Sequence, residues 1–126
     1  HAAYEPQRAV RTKSWKYIRR FGEHTQPVLS NCDDGPSKEE WLAAGWGGRP
    51  VPCEQLYDLV FDPLECSNRV LDPVAQPVLE EMRGRLQSWM RATDDPLLQG
   101  PVPAPTGAQI NDPDDLSPRA KVRVVT

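Results

Sequence analysis

No apolar run in this chain approaches the ~18 residues of a membrane-spanning helix, and no basic-then-apolar leader is visible. An excess of one charge sign is missing too. Lys and Arg number 15 against 18 Asp and Glu, a net charge of −3. That balance argues against a nucleic-acid partner held by bulk charge, and the absent span argues against a membrane partner. Cysteine is scarce and odd in number: Cys32, Cys53 and Cys66. Their spacing matches no zinc-ligand pair of the C-x2-C type, so reduced thiols are the plainer reading than a disulfide framework. With no leader in view, the odd count leans towards a cytoplasmic setting. Apolar residues make up 38%, below the roughly 45–50% of an ordinary domain, a benchmark that also counts glycine. The core is therefore expected to be small. What the chain has in excess is proline, 14 of 126 residues. It begins at His1 rather than Met, which suggests a chain processed or cut from something longer.

Charge is unevenly spread. The first twenty residues carry Arg8, Arg11, Lys13, Lys16, Arg19 and Arg20 against Glu5 alone. Residues 94–118 carry Asp94, Asp95, Asp112, Asp114 and Asp115 and no base. The basic front and the acidic stretch either attract each other or each meet a third surface. Such a basic run suits a sulfated glycan, but it is more often the solvated face of a hairpin. From Arg8 to Phe21 two strand-like segments flank Lys13-Ser14. A turn there sets Val10 opposite Tyr17 and Thr12 opposite Trp15 on one face. Arg11 then faces Lys16 on the other, so that face is either wet or meets an acid. Lys-Ser is a weak signal for a tight hairpin turn.

Residues 23–36 read as loop. Ser37-Lys38-Glu39-Glu40 has capping-box spacing, predicting a short helix from Lys38 to Ala44 with Ser37 as its cap and Gly45 as its stop. Leu56 to Phe61 is the next strand, ended by a turn at Asp62-Pro63. Asp72-Pro73 starts a helix that Pro77 restarts. From there Val78, Leu79, Met82, Leu86, Trp89 and Met90 recur at helical spacing, ending near Thr93. Trp89 is assigned to the core on that stripe. Trp46, flanked by glycines, is the aromatic kept as a ligand-facing candidate, while Trp41 forms the apolar pair of the short helix with Leu42 and His24 has no visible partner. The adjacent acids Asp33-Asp34 and Asp94-Asp95 read as turn or cap residues before metal ligands. Six prolines after Asp95 exclude helix or central strand from the tail, apart from a weak edge strand in residues 121–126. The expected fold is α+β: a small antiparallel sheet under one long amphipathic helix in residues 1–95, and an extended proline-rich tail in 96–126. So thin a core suits packing against a larger body.

Three motifs in order carry a resemblance. They are Arg8-Ala-Val-Arg-Thr with Trp15-Lys-Tyr-Ile, Glu54-Gln-Leu-Tyr-Asp-Leu with Asp62-Pro63, Glu65 and Asn68, and the helix ending Trp89-Met90, Thr93, Asp95-Pro96. Together, from about Ala2 to about Pro105, they resemble the C-terminal subdomain of type I sulfatases, in the branch that includes heparan N-sulfatase (sulfamidase). Cys66-Ser67 before Asn68 and Arg69-Val70 after it depart from the pattern.

The resemblance implies an alkaline-phosphatase-like α/β parent. Its N-terminal catalytic domain would be this segment's partner, and it would hold a formylglycine made from Cys/Ser-x-Pro/Ala-x-Arg and a calcium ion that stabilises sulfate oxygens. No such motif occurs here; Cys66-Ser-Asn-Arg69 comes nearest. The chain alone therefore offers no catalytic residue, metal ligand or cofactor site. The parent is expected to hydrolyse sulfate esters or sulfamates, with a sulfated small molecule or sugar as substrate. The resemblance places the chain around the first strand near the pocket mouth, so His1, Tyr4 and Arg8 are the substrate-contact candidates. A terminal histidine is also often just a frayed end. A phosphatase or phosphonate monoester hydrolase of the same superfamily, and a non-enzymatic interaction module with a partner-recruiting tail, are the competing readings.

Overall fold

The first hairpin forms in the register its side chains favour. In a computed structural model describing residues 2–126, β1 (Gln7–Arg11) pairs antiparallel with β2 (Trp15–Arg20), Val10 opposite Tyr17 and Arg11 opposite Lys16. The weak Lys-Ser turn is reinforced by Thr12, whose hydroxyl oxygen accepts from the backbone N–H groups of Ser14 and Trp15 at 3.3 and 3.0 Å. The like-charged pair is relieved by an acid on its own chain: Lys16 Nζ lies 2.7 Å from Glu65. β2 then pairs antiparallel with β3 (Glu54–Asp58), Tyr17 opposite Leu56, giving a sheet in the order β1-β2-β3.

β3 starts and stops earlier than the expected Leu56–Phe61. The Asp58 carboxylate accepts from the backbone N–H groups of Val60 and Phe61, folding those residues into a turn. Its free edge is covered by Asn68, which accepts from Leu56 N–H at 2.9 Å and donates to Glu54 O at 3.1 Å.

The long helix is α2 (Gln76–Ala92). Asp72 caps the 3-10 turn Pro73–Ala75 that leads into it, accepting from Val74 N–H. The Gln76 amide donates to Val70 O and Asp72 O just ahead of Pro77, which has no N–H of its own. Leu79, Met82, Leu86 and Met90 lie buried on one face, against Tyr17, Leu56, Ala75 and Leu97. Each such side chain contributes about 1.5–3 kcal/mol on leaving water. Trp89 is the exception to its expected place: it is 50% exposed. At 100° per residue it sits beside the Met90 row rather than on it, at the rim of the stripe.

By internal contacts the chain forms two compact units. The sheet–helix unit comprises Pro6–Phe21 and Pro52–Pro101; the other, a loop unit, comprises residues 2–5, Gly22–Val51 and Val102–Thr126.

In the loop unit, residues 23–36 are not featureless, because Leu29–Asn31 form a 3-10 turn that buries Leu29 and Ser30. Helix α1 runs from Pro36 to Ala43, and the Ser37 capping box does not form. Pro36, with its φ already helical, takes the first position, so Ser37 lies inside the helix and extended Gly35 caps it without a side chain. Gly45 ends the helix in the left-handed region at φ 82. The side chain that α1 buries is charged: Lys38. In the proline-rich stretch, β4 (Gln109–Ile110) pairs with β5 (Arg123–Val124), the edge strand expected there.

Candidate functional site

Strand alternation puts Arg8, Tyr17 and Arg19 on the face of the sheet that meets α2. Arg8 sits opposite Arg19 across the ladder, and its guanidinium turns to the far end of the helix. Nε donates to Asp95 Oδ2 at 2.6 Å and Nη2 to Oδ1 at 3.1 Å, a two-pronged pair. Asp95 is buried, and it also caps the 3-10 turn Pro96–Leu98 by accepting from Leu97 N–H at 2.9 Å. Arg8 first, and then the Leu97 amide, hold this carboxyl below the usual aspartate range.

A second constellation joins β2, β3 and α2. The Tyr17 hydroxyl donates to Glu54 Oε1. Arg83 donates to both Glu54 oxygens, at 2.8 and 2.6 Å, and to Glu80 at 2.6 Å. Burial, and then the bond to Glu54, push the Tyr17 hydroxyl up to about 12. Glu54 is held below its usual range, chiefly by its bonds to Arg83. Near neutral pH Tyr17 therefore keeps its proton and Glu54 stays ionised with its oxygens occupied. Neither group is free to move a proton to a ligand. Beside them lies an open cleft of about 510 Å³ lined by Tyr17, Arg19, Phe21, Arg83, Gln87 and Met90. The Arg19 guanidinium stacks 4.9 Å above the Phe21 ring.

The three sequence candidates fare differently. His1 lies outside the described residues. Tyr4, in the loop unit, is exposed, and its hydroxyl oxygen accepts from Val102 N–H at 2.8 Å. Arg8, in the sheet–helix unit, is bound to Asp95 as described. Trp46 is half-buried in the 3-10 turn Trp46–Gly48. His24 has a neighbour that sequence did not reveal, with Nε2 at 3.0 Å from Asp114. The Asp94-Asp95 pair behaves as the cap its sequence suggests.

Glu54, Arg83 and Lys38 were not singled out by sequence. An acid at the start of a strand and a base on a helix's polar side read as solvent-facing unless the packing of strand on helix is known. Among the described residues no group of three or more His, Cys, Asp or Glu is placed to hold a metal ion. Cys32, Cys53 and Cys66 are free thiols, each without the Pro/Ala-x-Arg context of a formylglycine precursor. These residues do not fit a calcium ion or the nucleophile of a sulfatase.

No protein-family model matches the chain. Two curated proteins of Formosa agariphila, both named ulvan-active sulfatase, do match. The first is 31% identical over 122 residues, covering 93% of this chain and 24% of the relative. The second is 31% identical over 103 residues, covering 70% of this chain and 17% of the relative. The chain resembles a segment of a sulfatase. It spans about a quarter of the length of one relative and less than a fifth of the other. The small α+β architecture, with its short antiparallel sheet and single long helix, is consistent with the C-terminal subdomain of such an enzyme.

Proposed function

We propose that this chain is the C-terminal subdomain of a sulfatase, packing on the parent's catalytic domain and bordering its cleft. The observation that carries the reading is similarity along 93% of the chain to about a quarter of an ulvan-active sulfatase. The catalytic machinery then belongs to an N-terminal domain of alkaline-phosphatase-like fold, carrying the formylglycine and the calcium ion. The relatives' names favour sulfate esters of a sugar polymer as the first substrate class. Sulfamates stand second, on the resemblance of the three sequence motifs to the sulfamidase branch. Tyr4 on one unit and Arg8 on the other each remain substrate-contact candidates, as does His1. An exposed phenol suits a sugar, and a guanidinium suits a sulfate.

The test uses the full-length protein, incubated with ulvan, an N-sulfated glucosamine and a phosphate monoester, with released sulfate and phosphate measured. Sulfate from ulvan supports the reading. Sulfate from the N-sulfated sugar alone moves the protein to the sulfamidase branch. Phosphate alone makes it a phosphatase, and no release from any of the three overturns the enzymatic reading.

A further inference from the structure

Between β3 and α2 the chain turns large apolar side chains outward. Phe61 and Leu71 are each 88% exposed, Val74 84% and Leu64 83%. Loops that expose such residues usually do so singly, and a concentration of them marks a surface meant to be covered. This one is held in place by its own polar groups. Asp58 binds the amides of Val60 and Phe61, and Asp62 those of Cys66 and Ser67. Glu65, itself left-handed at φ 56, pairs with Lys16. Arg69 pairs with Asp72, and Asn68 fastens the loop to β3. Val70 turns inward against the core while Leu71, next to it, turns out. The outward apolar set is thus fixed by an internal hydrogen-bond lattice.

The same lattice narrows the choice of occupant. The carboxylates of Asp58, Asp62, Glu65 and Asp72 and the guanidinium of Arg69 are bonded within the sheet–helix unit. The large side chains that the loop presents most openly, Phe61, Leu64, Leu71 and Val74, are apolar, which suits a protein surface better than a sulfated sugar. About three quarters of the first relative has no counterpart in this chain. We propose that the segment from Val60 to Val74 is where the catalytic portion of the parent protein docks on the sheet–helix unit. The proposal rests on the sulfatase reading, which supplies the occupant.

Hydroxyl-radical footprinting of the full-length protein tests it, with Leu116 as the exposed reference, 69% exposed in the loop unit. Phe61, Leu64 and Leu71 are expected to be oxidised at least about ten-fold more slowly than Leu116, equally at high and hundred-fold lower protein concentration. Oxidation at the Leu116 rate overturns the proposal. Protection that vanishes on dilution also overturns it, because a second copy then covers the loop. Sulfate release is measured on the same sample. Activity with an unprotected loop removes the docking surface and keeps the sulfatase reading. Concentration-independent protection without activity on any sulfated substrate keeps the docking surface and removes that reading. The double variant Phe61→Ser/Leu71→Ser is expected to lower the melting temperature of the full-length protein, and an unchanged value counts against docking.

Discussion

In the sheet–helix unit Leu79, Met82, Leu86 and Met90 from one helix meet Tyr17 and Leu56 from neighbouring strands, and the charged residues lie around that row. The loop unit is organised the other way about. There Asn31 accepts from Ala3 N–H and donates to Ala3 O, tying the start of the chain to a 3-10 turn. Lys38, buried on α1, donates to Leu29 O, Cys32 O and Asp34, fastening the helix to the end of the turn. Asp34 in turn accepts from Ser117 at 2.6 Å. One unit is held by area removed from water, which depends on shape and tolerates hydrophobic exchange. The other is held by side chains that reach particular backbone atoms, which depends on chemical identity.

The comparison is open to measurement on the full-length protein. The largest effect is expected from Leu79→Ala, which leaves a cavity in the sheet–helix core. By analogy with buried leucines elsewhere it destabilises by about 3 kcal/mol, read by urea unfolding. Leu79→Met is expected to cost far less, and a similar loss for both variants would contradict a shape-based core. Next comes Lys38→Met, which keeps the volume but removes the donor that Leu29 O, Cys32 O and Asp34 share. It is expected to cost about 2 kcal/mol, with amide exchange quickened around Leu29 and Cys32 and unchanged along α2. If Met serves as well as Lys at 38, the loop unit is held by packing after all.

Tyr17→Phe removes one hydroxyl from within the apolar core. A loss of about 1 kcal/mol is expected, and it tests whether the Tyr17–Glu54–Arg83 group stabilises a unit otherwise held by area. Glu54 adds a pH signature. Its folded pKa is depressed, so its contribution is present above its ordinary value of 4.5 and drains away as pH falls through the lower folded value. Glu54→Gln should flatten the stability–pH curve below pH 4.5. The smallest effect is expected from Trp89→Ala, below about 1 kcal/mol, against about 3–5 kcal/mol for an aromatic in a core.

The same contrast explains what sequence reading could see. The register of β1 with β2, the span of α2 and its restart at Pro77 were all legible, because each rests on a local period or on the fixed φ of proline. Trp89 was misplaced because a six-residue stripe does not say where its rim falls. The end of β3 was misplaced because Leu-Val-Phe looks like strand until the Asp58 carboxylate folds it back. The Ser37 cap failed because Pro36 competed for the helix start. The loop unit stayed opaque for a deeper reason: Lys38 and Asp34 meet Leu29, Cys32 and Ser117 at separations set by the fold and by no period. The same holds for the candidate site, where the opposite charges of the first twenty residues and of residues 94–118 were visible but the particular pairing of Arg8 with Asp95, 87 residues away, was not.

Gln76 carries a consequence of its own. Its amide NH2 group donates to Val70 O and Asp72 O, tying the helix start to the loop before it. Replacement of that amide by a carboxylate, as in Gln76→Glu, would exchange its two N–H donors for an acceptor oxygen while altering almost nothing in size. The oxygen so created would face the carbonyls of Val70 and Asp72 with repulsion in place of attraction. The start of the longest helix thus depends on which way one side-chain amide donates.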